Sequence, residues 1–454
     1  MLRGWIGCLG TCWLAVGCGS VAARSDAGAV DDAVLPADAR IDIDGRPLGN
    51  DPEVWPNLMS AASSDPWIAA HHDELREMHP RVLALNFVNG RSNAEMNALL
   101  ARIFAGLKEG SRYHGYRDPA APAFLDYELA RSVDLTDHPV PANWPFRNST
   151  RYPRKPAGTA DYWHFHYGAL FSQQFADHYG FADPANRARN LTLCELLERG
   201  IVHEIWIYGD ADLAGDVNAA EVLEVKQRYD DQDRAVRGSF DPCAGNGCMD
   251  ASDIPACGVS FRIPWVNHSR GPGCLIHSLG HGFESMTGGA ARSPAAIPYL
   301  GKNFPHFANF DLLDRQIGAP SQSWYGACGS SCVDFTGTNS LTWHDNRGMT
   351  GTIAQYDQGC GSVHFPPNAR ADYDDQNAFG VLSTCEHLGL HDGPGGTDLP
   401  EIYTSARSKQ YDALAPDCEG GWQVYWRQSF PGYRNPAKDA AGAAMKNWWV
   451  YAFY

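Results

Sequence analysis

The sequence predicts an α/β fold: a mixed or partly parallel sheet flanked by helices, with a loop-rich, disulfide-stapled second half. Three observations predict it. Between residues 80 and 210, compact apolar runs bounded by Pro, Gly and Asn alternate with stretches of helical periodicity, as strands joined by helices do. From residue 210 onward the elements shorten, and Gly and aromatic residues become dense. Ten of the 13 cysteines lie from Cys194 to Cys418.

In chain order, residues 65–79 read as a helix. Residues 81–88 form an apolar run between Pro80 and Asn89–Gly90, a buried strand. Residues 92–110 are the clearest helix: Ser92 and Glu95 have capping-box spacing, and Gly110 ends it. Residues 124–133 read as a second strand. Residues 161–179 and 191–199 read as helices, the latter stopped by Gly200. Residues 201–208 follow as a strand. This spacing favours parallel pairing within one sheet. Beyond it, residues 259–265 read as a strand and 274–286 and 309–317 as helices, with loops between.

The N-terminus reads as an export signal. A basic start with Arg3 precedes an uncharged run over residues 4–17, too short to span a bilayer as a helix of about 20 residues. Small residues then precede Cys18, resembling a bacterial lipobox with Ala15 where the best boxes have Leu. The expectation is a signal peptide over 1–17, cleavage and lipidation at Cys18, and a lipoprotein of the bacterial cell envelope, anchored in the outer membrane. The alternative is free secretion. Residues 18–55, rich in Ala, Asp, Gly and Pro, read as a flexible tether. Residues 56–454 read as globular, either as one region or as an α/β core at 56–235 and a disulfide-rich part at 236–454.

Cysteine usage agrees with export. Cys8 and Cys12 fall inside the signal, and Cys18 carries the lipid. The ten that remain allow up to five disulfides in an oxidising compartment. A net charge of −17 without a basic stripe argues against nucleic acid as a partner. Aromatics at 11% fit either a well-filled core or a sugar-stacking cleft.

The strongest local constellation is His277, His281 and Glu284. On a helix, offsets of four and seven place these side chains on one face. His277 and His281 are spaced to share a zinc or other divalent ion. Glu284 is placed to orient His281 or to act as a base. His203 and Glu204 lie on opposite faces of a strand, and Glu204 in an apolar strand needs a partner or a cleft. Asn86 and Asp210 lie near the carboxyl ends of strands, where open α/β sheets bind ligands. The loop 360–368 presents His364 and Asn368 on a backbone fixed by Pro366 and Pro367. His164 and His166, and the polar group Glu386, His387, His391 and Asp392, are weaker candidates.

The strand around Glu204, the segment 280–284, the loop 360–368 with Asp372, Tyr373 and Asp374, and the closing stretch 447–451 together resemble a loosely defined family of exported bacterial and fungal proteins. The resemblance implies shared architecture over residues 80–454 and no particular reaction. Its pattern singles out Glu204 over His203, and His281 and Glu284 over His277. It favours a site built from Glu204, His281, Glu284 and His364.

These readings converge on an extracytoplasmic hydrolase of a glycan or peptide, metal-assisted or using two carboxylates as glycosidases do. The alternative is a surface carbohydrate-binding protein without catalytic activity.

Overall fold

The computed structural model describes residues 48–60, 65–136, 152–156, 163–183, 186–210, 219, 221–247, 253–287, 295–308, 333–344, 348, 350–355, 359–391, 393–396 and 398–453. The expected signal peptide, Cys18, most of the tether, the helix expected at 309–317, Asp392, and Cys248, Cys328 and Cys332 lie outside these residues.

The fold is α/β, organised by a six-stranded mixed sheet. Its strands are β1 (Arg81–Asn86), β2 (Glu128–Asp134), β3 (Glu204–Gly209), β4 (Val222–Tyr229), β5 (Ala235–Asp241) and β6 (Phe261–Asn267), in spatial order β2-β1-β3-β6-β4-β5. β1 pairs in parallel with β2 and β3, and β6 pairs in parallel with β3. β4 runs antiparallel to β6 and β5 antiparallel to β4. The parallel pair β1–β2 is joined through helix α1 (Asn93–Gly110), since parallel neighbours need a crossover.

β1 and β3 are buried on both faces. Val82 and Ala84 of β1, with Trp206 and Tyr208 of β3, face one hydrophobic core. Leu83 and Leu85, with Ile205 and Ile207, face the other. This two-sided burial is why the runs lack polar alternation. The first core is filled by α1, α2 (Pro272–Met286), α3 (Gly420–Gln428) and α4 (Trp448–Phe453). The second is filled by Phe165, Leu170, Phe175, Leu193 and Leu196 from shorter elements.

The expected capping box is present. Ser92 Oγ accepts the Glu95 N–H, and Glu95 accepts the Ser92 N–H at 2.9 Å. A second box at Thr192 and Glu195 opens the helix Leu193–Glu198, and Gly200 follows at φ 64°.

Two expected helices differ. Within 65–79 only Asp65–Ala70 is helical, and Glu77–Met78 pairs in parallel with Val54–Trp55. Met78 donates its N–H to the Phe124 carbonyl at 2.7 Å, so tertiary pairing satisfies a backbone that helix propensity would have kept local. Within 161–179, Trp163–Phe165 is a strand against Arg154–Pro156, as its aromatic residues favour. Helices occupy Tyr167–Leu170 and Gln173–Tyr179, the latter capped by Ser172.

Disulfides join Cys194 to Cys257, Cys274 to Cys418 and Cys360 to Cys385, and Cys243 is disulfide-bonded as well. The aromatics mostly fill the core: Trp55, Trp206, Trp422, Trp426, Trp448 and Trp449 are all buried. Among the described residues, no helix is long and apolar enough to cross a membrane.

Candidate metal centre

Helix α2 leaves the carboxyl end of β6 through the turn at Asn267–Arg270. Its start is fixed from outside the helix. Asp417 accepts the N–H groups of Gly271 at 2.6 Å and Gly273 at 3.0 Å, satisfying donors that a helix N-terminus leaves open. Pro272 occupies the first turn, and the Cys274–Cys418 disulfide ties that turn to the loop before α3. Three residues further along, His277 begins the functional face.

Gly280 and Gly282 weaken α2 by propensity, and the packing shows why they are there. A Cβ on Gly280 would meet Gln423 Oε1 and Val363 Cγ2, each at 2.8 Å. A Cβ on Gly282 would meet Glu224 Oε2 at 2.5 Å. The helix therefore approaches α3, the 360–368 loop and β4 more closely than any side chain would allow.

That approach brings His364 to α2. The loop is held by the Cys360–Cys385 bridge, by Trp422 Nε1 donating to the Ser362 carbonyl at 3.0 Å, and by Gln423 Nε2 donating to the Val363 carbonyl at 2.7 Å. The Val363 N–H donates to Glu284 Oε1 at 2.9 Å, so α2 itself anchors the loop.

Three imidazoles then form a near-equilateral triangle. Ring centroids are 5.0 Å apart for His277 and His281, 4.9 Å for His277 and His364, and 4.8 Å for His281 and His364. Imidazoles radiating from one tetrahedral ion, with metal–nitrogen distances of about 2.0–2.1 Å, would place their centroids about 5 Å apart. Candidate ligand atoms of the three residues lie within 4.8 Å of one another.

Two of the rings are hydrogen-bonded by carboxylates, and a third carboxyl group lies near the remaining ring. Glu284 Oε2 meets His281 Nδ1 at 2.9 Å, and Asp372 Oδ1 meets His364 Nδ1 at 2.8 Å. Glu419 Oε2 lies 3.7 Å from His277 Nδ1. A carboxylate at Nδ1 selects the tautomer that leaves Nε2 as the free lone pair. His281 Nε2 and His364 Nε2 face each other at 3.0 Å. His277 is neutral: burial, then the neighbouring His281 and His364, push its pKa down to about 2. Glu419 is pushed up to about 10 by burial, then by Asp375, Asp372 and Asp374.

The triangle opens on a cleft of about 430 Å³. Its other walls include Glu221, Asn246, Ser278, Arg270 and Tyr373. Glu221 Oε2 accepts from Asn246 Nδ2 at 2.8 Å and from Ser278 Oγ at 2.9 Å. Tyr373, at φ 61° and 51% exposed, lays its ring 4.1 Å from that of His364 and nearly parallel to His277. Burial, then Asp372, Glu419 and Glu221, raise its phenol to about 12, so it keeps its proton. Cys274 and Cys418 also line the cleft, but their disulfide leaves no thiolate to ligate.

Of the residues singled out by sequence, the structure brings His277, His281, Glu284 and His364 together. It does not bring Glu204 to them. Glu204 is fully buried in the sheet, accepting from Tyr127 Oη at 2.9 Å, Trp206 Nε1 at 2.8 Å and Arg262 Nη1 at 3.2 Å. The alternation of β3 turns it toward the helical core, so the pair of catalytic carboxylates expected from Glu204 and Glu284 is not assembled. Asn368 is buried and braces its own loop, donating to the carbonyls of Asn377 and Phe379. Asn86 shapes the turn into α1, accepting the Val88 N–H at 3.0 Å and donating to the Arg91 carbonyl at 2.9 Å. Asp210 accepts from Tyr152 Oη at 2.8 Å and lies 3.5 Å from His268. None of these three lines the cleft. His164 and His166 lie elsewhere, and the buried Glu386, with His387, joins an ion-pair network with Arg117, Arg407 and Glu401.

Sequence reading passed over Glu221, Asn246, Ser278, Arg270 and Glu419. No motif marks them: Glu221, Asn246 and Arg270 reach the cleft through chain packing, Ser278 lies beside His277 on α2, and Glu419 sits behind His277. Asp372 and Tyr373 stood in a recognisable stretch without an assigned role. No protein-family model matches the chain, no curated protein is a significant match, and no solved structure matches it.

Proposed function

We propose that the protein is a metal-dependent hydrolase holding one divalent ion, zinc by preference, between His277, His281 and His364. The observation that carries this reading is the triangle of imidazoles in which two Nε2 atoms face each other at 3.0 Å with both Nδ1 atoms committed to carboxylates. Two lone pairs so close repel unless a cation or proton lies between them. Three histidines with a position open to a cleft are the donor set of catalytic zinc, and the carboxylates behind His281 and His364 are its usual support.

A divalent ion in such a site supplies Lewis acidity and lowers the pKa of water at the open position. The chain supplies the rest. Among the described residues that line the cleft, Glu221 is the carboxylate that backs no histidine. Asn246 and Ser278 both bond its Oε2, which orients the group and leaves Oε1 to take up a proton. Tyr373 covers the rings of His277 and His364 and limits water access to them.

The compartment is part of the proposal. Disulfides persist in oxidising compartments, which supports export and a glycan or peptide substrate outside the cytoplasm. A lipid at Cys18 would tether the domain to the envelope. Mass spectrometry of the mature N-terminus tests that point, and an unmodified start elsewhere sinks it.

Metal analysis of the purified protein tests the centre. The expected result is one zinc per chain, lost in His281→Ala and His364→Ala. Glu221→Gln should keep the metal and lose hydrolysis of an activated 4-nitrophenyl ester. No stoichiometric metal, with stability unchanged in chelator, overturns the reading.

A further inference from the structure

The metal reading leaves the substrate open, and the cleft narrows it. Among the described residues that line it, Arg270 is the one Lys or Arg. It closes the turn between β6 and α2, which is fixed by Asn267 Oδ1 accepting the Ser269 N–H at 2.9 Å and by the Arg270 N–H donating to the Asn267 carbonyl. The side chain is exposed and, among the described residues, makes no ion pair.

Among the described residues, no neighbouring carboxylate makes an ion pair with Arg270. Glu284 and Asp372 back histidines, Glu221 is bonded by Asn246 and Ser278, and Asp417 is bonded by the N-terminus of α2. Arg270 is therefore a cation that no described internal anion claims. Tyr373, on the same cleft, offers a phenolic O–H that donates to no described residue. A guanidinium presents paired N–H groups matched to carboxylate and phosphoryl oxygens.

Resting on the metal reading, we infer that the substrate carries an oxyanion group, a carboxylate or a phosphoryl, which Arg270 and Tyr373 bind beside the three-histidine centre. The protein's net charge of −17 repels anions at long range, so a local cation is needed for an anionic substrate to settle there. The cleft of about 430 Å³ is at the small end of ligand pockets, so it takes a compact group such as the charged end of a chain.

The test uses the full chain loaded with cobalt(II), whose visible absorption reports on the open coordination position. Wild type is titrated with acetate and, separately, with inorganic phosphate. At least one should perturb the spectrum saturably, and the tighter of the two identifies the group as carboxylate or phosphoryl. Arg270→Ala should weaken that binding about tenfold or more, as loss of a charged hydrogen bond does, with Arg270→Lys intermediate. Tyr373→Phe should weaken it about threefold, the scale of a neutral hydrogen bond. Equal affinities in wild type and Arg270→Ala overturn the inference while leaving the metal centre standing, as does the absence of any anion effect. Failure of cobalt to bind overturns the metal reading, and this inference with it.

Discussion

His281 Nε2 and His364 Nε2 sit 3.0 Å apart, one on helix α2 and one on a disulfide-anchored loop 83 residues later in the chain. Their other ring nitrogens are held at 2.9 and 2.8 Å by Glu284 and Asp372. The carboxylates fix the rings, and the rings then present their lone pairs to a common point. Glu284 does more than its partner, because its second oxygen accepts the Val363 N–H. It therefore holds both His281 and the loop that delivers His364.

This asymmetry gives the first prediction. Asp372→Asn should weaken metal binding about 10–100-fold, the usual effect of losing a carboxylate behind a ligating histidine. Glu284→Gln should weaken it more, because an amide cannot serve both His281 and the Val363 N–H as a carboxylate does. Competition against a chromophoric chelator measures both. Equal losses would mean that the Val363 contact does not position His364.

Glu204 is predicted to act on stability. It shares Arg262 with Glu224, whose contact with the guanidinium is 2.7 Å, and Arg262 reaches on to the Ala452 carbonyl in α4. The network joins β3, β4 and β6 to the C-terminal helix with all three charged groups buried. Removing one member strands charge in the core. Glu204→Ala should cost about 3–5 kcal/mol in denaturant unfolding, with metal stoichiometry retained in the folded fraction. A stable variant without metal would move Glu204 back to the centre.

The sequence was most legible where structure is local. The capping box at Ser92 and the stop at Gly200 are short-range chemistry, and the unbroken apolar runs marked β1 and β3 as buried. The i, i+4 spacing of His277 and His281 was visible for the same reason. His364 had to be guessed from its loop, and Glu221, Arg270 and Glu419 had no signal at all. Glu221 and Arg270 reach the cleft, and Glu419 the back of His277, through chain packing that no local pattern encodes. Glu204 misled because an acidic residue in an apolar strand looks the same whether its partner is a substrate or a buried arginine.

Acid should destabilise the protein below about pH 6.5. His114 stacks 3.9 Å from Tyr113, and burial, then Arg117, push its pKa down from 6.5 to about 4. Between those values the unfolded chain binds a proton that the folded chain does not, so stability falls as pH drops through that window. Buried His72 and His203 are depressed in the same direction by burial. His114→Asn removes one titrating group and tolerates the backbone φ of 55°. It should recover about 1–2 kcal/mol at the acid end, allowing for partial solvent screening. Thermal unfolding across the window reads this out, and an unchanged slope would excuse His114.

Gly280 offers a test in which two physical effects oppose each other. Ala in a helix interior is favoured over Gly by about 1 kcal/mol, so propensity alone predicts that Gly280→Ala stabilises the protein. The packing predicts the reverse. The new Cβ would sit 2.8 Å from Gln423 Oε1 and from Val363 Cγ2, the two residues whose mutual hydrogen bond seats the His364 loop. Overpacking of this kind costs about 1–3 kcal/mol, and here relief would come from moving Val363 and with it His364. The expected outcome is a lower unfolding midpoint together with weaker metal binding. A variant that gained stability and kept full affinity would show that the loop yields without moving His364, and that the glycine is not what sets the spacing of the two facing imidazoles.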